Sequence, residues 1–315
     1  MIKHARWYVN TSKWKPTRNE WLRLNASIAD EEVDRVGQFV YQDDSKTALI
    51  GRALIRKFVA YSLNVPSNQV VFSRNSKGRP TVCQSYKAHF GPNWPPLFDF
   101  NVSHSGDYCI LVGCWAQEYP ANLSAITVGA DVMKIIDKTG PELERFLDLM
   151  SRRPFTKDEW NTVEQVENEI QKCLNFTRLW CLKESYIKSV GLGLSFGLHR
   201  LDFRTSLSSR FTLSIERLRD RFLLDTTVLL DGQAEREWVF METALDTKHL
   251  TAIGYHLIQN GSGQLDDKYM RQLVDESYLF EEISIESLLD GLELIRPLDE
   301  SVWTNFAPKR NRAAG

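Results

Sequence analysis

The stretch from Phe176 to Val190 constrains this chain most. Wound as an α-helix, it gathers Phe176, Leu179, Trp180, Ile187 and Val190 into one apolar arc. Lys183 falls near the middle of that arc, Glu184 at its edge, and Lys188 one turn beyond Glu184. A lysine in a core-facing arc needs a partner or a route for its head group to escape. A carboxylate at the arc edge can enter a cleft, where its affinity for protons or metal is tuned. The stretch reads as one wall of a site for an anionic ligand. Glu184 and Lys188 alone would fit an ordinary surface pair, stabilising by roughly 0.2–0.5 kcal/mol. Lys183 is what shifts the reading towards function.

The chain has 315 residues, enough for one large or two ordinary domains, and a formal charge of −2. Any anion site must therefore be local, and a nucleic-acid binder using a contiguous basic, aromatic stripe is disfavoured. Five scattered cysteines without metal-site spacing read as reduced core thiols. The start Met1-Ile2-Lys3-His4-Ala5-Arg6 lacks a signal-peptide core, and no apolar run has membrane-spanning length. We expect a cytoplasmic protein without membrane association.

Along the chain, the pattern predicts a strand at Trp7–Val9, helices near 17–25 and 29–38, and a long helix from about Asp43 to Leu63. A strand at Val70–Ser73 leads into the basic turn Arg74-Asn75-Ser76-Lys77-Gly78-Arg79-Pro80. Phe98, Phe100 and Val102 alternate with polar residues as in a half-buried strand, and the apolar run Tyr108–Trp115 completes a hairpin. Glu118-Tyr119-Pro120-Ala121-Asn122 is the best internal boundary. Then come a strand over Ile126–Met133, helices near 141–150, 156–164 and 166–190, and strands near 210–216, 226–230, 237–242 and 250–257. Both halves run strand, helices, antiparallel strands. The expectation is an α+β chain of two similar lobes related by pseudo-twofold symmetry, each a small, largely antiparallel sheet packed with helices. They would span 1–120 and 121–262, with a C-terminal extension 263–315, partly ordered or flexible, that ends in a solvated basic tail, Lys309-Arg310-Asn311-Arg312. A cleft between lobes is a favoured ligand site.

Asp131 sits on the less apolar face of its strand, with Gly129 removing bulk beside it. Such an acid can hold Mg²⁺, which takes one or two carboxylates and completes its shell with phosphate oxygens and water. Taken alone, it reads better as a solvent-facing strand-end acid. Asn101-Val102-Ser103-His104 ends a strand in small hydrogen-bonding groups, and His104 can donate to a phosphate. The turn Arg74–Arg79 offers three cations around a glycine. Two acids suited to Mg²⁺, several cations and no cysteine nucleophile together fit phosphoryl-type chemistry.

Three ordered stretches, Phe100-Asn101-Val102-Ser103-His104, Val128-Gly129-Ala130-Asp131 and Trp180-Cys181-Leu182-Lys183-Glu184-Ser185-x-x-Lys188, resemble the motifs of 4′-phosphopantetheinyl transferases, in particular their long eukaryotic form. Arg35-Val36-Gly37-Gln38-Phe39-Val40 and the Arg74 turn share the likeness, which covers roughly residues 5–260. The resemblance implies transfer of 4′-phosphopantetheine from coenzyme A to a serine of an apo acyl or peptidyl carrier protein, releasing 3′,5′-ADP. Carrier domains of fatty acid synthase and of aminoadipate-semialdehyde dehydrogenase-type enzymes are the implied partners, served by a monomer. By position, Asp131 and Glu184 would bind Mg²⁺, and Glu184 would serve as, or orient, the base. Lys188 and the segment Asn101, Val102, Ser103 and His104, His104 foremost, would hold phosphates. Arg35 with Arg74, Asn75, Ser76, Lys77, Gly78 and Arg79 would hold the phosphoadenosine end, and the turn Glu184, Ser185, Tyr186, Ile187 and Lys188 would line the coenzyme A site. Lys183 would reach towards ligand or a nearby acid. Bacterial relatives carry a third acid two residues after the aspartate; here Met133 stands there, and Ser105 follows His104 where the long form has glutamine. A rival reading is a module that binds coenzyme A and carrier protein without turnover.

Overall fold

The computed structural model describes residues 1–118, 123–151, 154–205, 215–260, 273–274 and 279–311. The class is α+β, with helices beside several small, mostly antiparallel sheets. The chain divides into two compact units that are not contiguous in sequence. The first comprises Met1–His4, Pro96–Asn101 and Val112–Leu279; the second comprises Ala5–Pro95, Val102–Leu111 and Phe280–Gly315.

In chain order the elements begin with β1 (Lys3–Asn10), α1 (Arg18–Ala26), α2 (Asp30–Gly37), α3 (Gln42–Leu63), β2 (Phe72–Arg74), β3 (Pro80–Val82) and α4 (Gln84–Phe90). They continue with β4 (Leu97–Ser105), β5 (Tyr108–Ala116), β6 (Leu123–Lys134), α5 (Gly140–Ser151), α6 (Lys157–Glu164) and α7 (Glu169–Val190). The remainder are β7 (Leu201–Arg204), α8 (Ile215–Leu218), β8 (Thr227–Leu230), β9 (Gln233–Ala234), β10 (Trp238–Ala244), β11 (His249–Gln259), β12 (Glu281–Glu282), α9 (Ile285–Asp290) and α10 (Glu300–Phe306). Strands β12, β1, β5 and β4 form one sheet in that order, with β12 parallel to β1.

In the first unit, β10, β11 and β6 form an antiparallel sheet in that order. Its register places Asp131, Ala252 and Glu242 in one row, and Gly129, Gly254 and Phe240 in another. Directly opposed residues project to one face, and that face receives α7. α7 starts where the Asn168 side chain accepts from Gln171 N, and stops at Gly191, whose φ of 69° is one an L side chain rarely adopts. Its core side joins Phe155, Leu201, Phe203 and Phe240 in one apolar cluster.

In the second unit, α3 is the buried centre. α1 packs on it, with a capping box in which Thr17 accepts from Glu20 N and Glu20 accepts from Thr17 N. β2 and β3 are a short antiparallel hairpin closed by the Arg74–Arg79 turn.

The strand foreseen at 70–73 is displaced to Phe72–Arg74. The strand foreseen near 210–216 fails at its end, because Ile215–Leu218 is helical; 206–214 lie outside the described residues. The boundary at Tyr119–Asn122 and the tail residue Arg312 also lie outside them. Lys309 is not a solvated tail residue: its ammonium is bound to the carbonyls of Gly37 and Phe39. All five cysteines are free, and four are buried.

Candidate active site

Two facing glycines let the helix reach the sheet. A Cβ on Gly129 would lie 1.9 Å from Ser185 O and 2.4 Å from Ser189 N, both helix backbone. A Cβ on Gly254, its partner across the sheet, would lie 3.3 Å from Ser185 Oγ. α7 thus lies nearly on the strand backbone at this point, and its last turn comes down beside Asp131. Gly129→Ala is expected to force the helix off the sheet, destabilising the protein towards the upper end of about 1–3 kcal/mol. A denaturant-unfolding midpoint checks it; a midpoint equal to wild type would contradict the close approach.

At this crossing Lys188 Nζ donates to Asp131 Oδ1 at 2.6 Å and to Ala130 O at 3.3 Å. Asp131 is 6% exposed. Burial, together with the charge of and a hydrogen bond to Asp131, pushes the neighbouring Cys181 thiol well up, so it meets the carboxylate as a neutral S–H. Glu184 is half-buried. Burial raises its carboxyl above the ordinary carboxylate range, the charge of Asp131 adds to the rise, and Lys188 opposes it. Two carboxylates that repel one another beside a single lysine are what a divalent cation would relieve. Among the described residues, no group of three or more His, Cys, Asp or Glu side chains is placed to hold a metal. The donor set fits an ion such as Mg²⁺ that takes two carboxylates and completes its shell with water and phosphate oxygens.

Side chains from β4 dress the edge of β6. Asp99 Oδ2 accepts from Val128 N at 2.8 Å, and Asn101 Oδ1 accepts from Ala130 N at 3.2 Å. Asn101 therefore sits beside Asp131, though its carbonyl is committed to the strand. Asp99 escaped the sequence reading; its alternation with Asn101 was the available signal.

Lys183 did find an acid. Its ammonium is fully buried and pairs with Glu159 Oε2 at 2.8 Å, also donating to Leu198 O and Leu201 O. It braces α7, α6 and β7 rather than reaching ligand. Ser185, Tyr186 and Ile187, named as ligand-lining by resemblance, are core: Ser185 donates to Leu182 O, Tyr186 stacks on Trp238, and Ile187 joins the apolar cluster. Helix periodicity leaves only Glu184 and Lys188 of this turn half-open. Arg178, one arc further back, makes a buried two-point pair with Glu242, which also accepts from Thr226.

The remaining candidates lie in the second unit. Arg74, Val102 and His104 line a cavity of about 270 Å³ with Glu32, Arg52, Arg56, Phe72 and others. Glu32 accepts from both Arg52 and Arg74. Burial works upward on its carboxyl, but the hydrogen bonds and charges of these arginines hold it below its ordinary value. Arg74 also donates to Gly78 O, and its Nε is buried with no partner among the described residues. Asn75 Oδ1 accepts from Lys77 N and Arg79 N, which with Gly78 at φ 80° fixes the turn and leaves Ser76 and Lys77 exposed. His104 is exposed at the cavity, Ser103 is buried, and Arg35 stands exposed on α2, outside the cavity lining.

An α+β chain that pairs Asp131 and Glu184 beside Lys188 has the makings of a metal-assisted phosphoryl-transfer enzyme. Residues 12–116 match the family model described as 4′-phosphopantetheinyl transferase, N-terminal, and residues 127–252 match that of the 4′-phosphopantetheinyl transferase superfamily. The chain belongs to this superfamily and is a transferase. It is 34% identical to the human L-aminoadipate-semialdehyde dehydrogenase-phosphopantetheinyl transferase, over 97% of this chain and 91% of that protein. It is 32% identical to a phosphopantetheinyl transferase of Thraustochytrium, over 78% and 76% of the two chains. It is 29% identical to the 4′-phosphopantetheinyl transferase psf-1 of Bacillus pumilus, over 64% and 74%.

Proposed function

We propose that the chain transfers 4′-phosphopantetheine from coenzyme A to a serine of an apo carrier protein, with Mg²⁺ held by Asp131 and Glu184. Candidate carriers are acyl carrier protein and the carrier domains of fatty acid synthase or aminoadipate-semialdehyde dehydrogenase-type enzymes. The observation that carries the reading is the Asp131–Lys188 contact at 2.6 Å, with Glu184 close enough for Asp131 to raise its proton affinity.

The carrier serine Oγ forms a bond to the phosphorus bearing pantetheine. The bond from that phosphorus to the bridging oxygen breaks, and 3′,5′-ADP leaves with the electron pair. The serine proton goes to Glu184 or to a water that Glu184 orients, since a hydroxyl is a weak nucleophile until its proton is accepted. Bound Mg²⁺ would supply charge neutralisation on the pyrophosphate. Lys188, anchored on Asp131, adds a second positive charge where negative charge develops. Met133 offers no third carboxylate, so water, Ser105 or phosphate oxygens would complete the metal shell. His104, Arg35 and the Arg74–Arg79 turn are the groups offered to the other phosphates of coenzyme A. The free cysteines suit a reducing compartment such as the cytosol.

Mixing the protein, coenzyme A, Mg²⁺ and an apo carrier domain should add one phosphopantetheine to the carrier by intact mass. Coenzyme A binding without that gain would leave a binding module instead.

The raised Glu184 carboxyl has a second consequence. A folded pKa above the unfolded value contributes stability that is present at low pH and lost as pH rises through the folded pKa. At neutral pH the ionised Glu184 is therefore a net cost to the metal-free fold. Glu184→Gln should raise the metal-free melting temperature at pH 7 and leave it little changed at pH 4. A lower melting temperature at pH 7 would contradict this environment.

A further inference from the structure

By its own sequence, α2 is a poorly supported helix. It has eight residues, Ala29 at its N-cap makes no side-chain hydrogen bond, and Val36 alone is fully buried. So short a helix is marginal without outside support. Yet α2 carries Arg35, and also Glu32, which draws Arg52 and Arg74 together at the cavity.

Besides its packing on α3, α2 is held from far along the chain. Just ahead of α2, Arg296 Nη2 donates to Asn25 O in the last turn of α1 at 2.8 Å and to Ile28 O in the connector, and Nη1 pairs with Asp30, the first residue of α2. The Asp30 side chain is 87% exposed, so the carbonyl contacts, not the ion pair, do the holding. At the end of α2, Lys309 Nζ donates to Gly37 O at 2.7 Å and Phe39 O at 2.6 Å. A helix end leaves such carbonyls without intrahelical partners, and a cation there also complements the helix dipole. The next turn is tied as well: Gln42 N donates to Arg310 O at 2.9 Å, and Gln42 Nε2 to Ala307 O at 3.0 Å. The holding segment is itself anchored. Phe306 is buried and stacks on Trp21 at 3.6 Å, Trp21 Nε1 donates to Val302 O, and Ile283 N donates to Tyr8 O.

We propose that the C-terminal segment 280–311, outside both family-model matches, is a positioning clamp for α2. Arg296 ties the end of α1 and the connector that enters α2, Lys309 grips the end of α2, and together they set Arg35 and Glu32 for coenzyme A. Neither residue lines the cavity, so they act through α2. The inference rests on the reading that Arg35 and the cavity cations bind coenzyme A.

The test compares Arg296→Ala, Lys309→Ala, their double variant, Lys309→Arg and Arg35→Ala in the full chain. Calorimetric coenzyme A affinity, kcat at saturating coenzyme A, and hydrogen exchange over residues 30–41 are the readouts. If loss of the clamp leaves α2 competent in about a tenth of molecules, the double variant binds coenzyme A about tenfold more weakly. Its kcat stays within about twofold of wild type. Exchange quickens in 30–41 and not across α3, and Lys309→Arg, which can still reach both carbonyls, restores most of the affinity. If Arg35→Ala weakens binding while the double variant does not, the clamp is wrong and the coenzyme A reading stands. If exchange quickens throughout the second unit, or kcat falls while KM holds, the segment is merely structural. If Arg35→Ala has no effect, the reading beneath the inference fails with it.

Discussion

Glu184→Gln and Asp131→Asn are each expected to lower carrier modification by about 10²–10⁴-fold while leaving a folded protein. The two losses differ in origin. Glu184→Gln keeps the shape of the side chain but removes both a metal ligand and the acceptor for the serine proton. Asp131→Asn halves the anionic donor set and replaces the charged acceptor that holds Lys188 at 2.6 Å with a neutral amide oxygen. Because both act on one cluster, the double variant should be scarcely worse than either single one, since residues that work as a unit are not additive. The check is the initial rate of carrier mass gain, with circular dichroism confirming the fold. Near-wild-type rates in both variants would remove the mechanism.

Lys183→Met is expected to destabilise the protein by about 3–5 kcal/mol, because it leaves the buried Glu159 carboxylate without its cation. Lys183 spends all three donors inside, on Glu159 and the carbonyls of Leu198 and Leu201. Glu159 in turn accepts from Thr156 N and Phe203 N. Burial pushes the Glu159 carboxyl up and the Lys183 ammonium down, and each charge opposes the shift of the other. Without Lys183 the Glu159 carboxyl rises further. A raised folded pKa gives stability that is kept at low pH and lost as pH climbs through it. The variant should therefore be closer to wild type in weakly acidic buffer than at pH 8. Lys183→Met with Glu159→Gln should recover much of the loss. A denaturation midpoint for the single variant that is equal to wild type at pH 8 would contradict the buried pair.

The site was most legible where one element carried its own pattern. The periodicity of α7 set Lys183 inward and Glu184 at the margin, and β6 alternation set Asp131 on the face of Gly129. Lys183's partner was harder to find, since 24 positions separate Lys183 from Glu159. Thr156 followed by Glu159 is a capping-box signature, but it announces a helix start and not an ion pair. Gly254 could not be read as the second half of the helix crossing, because strand register is a tertiary fact. Ser185, Tyr186 and Ile187, ligand-lining by resemblance, have buried side chains because the periodicity of α7 turns them inward. The C-terminal segment misled for another reason: polar, aperiodic sequence reads as a solvated tail, whereas Lys309 and Arg296 dock by donating to main-chain carbonyls, which leave no trace in side-chain patterning.

The central claim, one divalent ion shared by Asp131 and Glu184 at the pyrophosphate, is tested most directly with Mn²⁺ as a spin probe. In the presence of coenzyme A, the wild-type protein should bind Mn²⁺ with a resolvable coupling to phosphorus, and both Asp131→Asn and Glu184→Gln should abolish or greatly weaken that signal. A phosphorus-coupled Mn²⁺ signal undiminished in both variants would contradict the account.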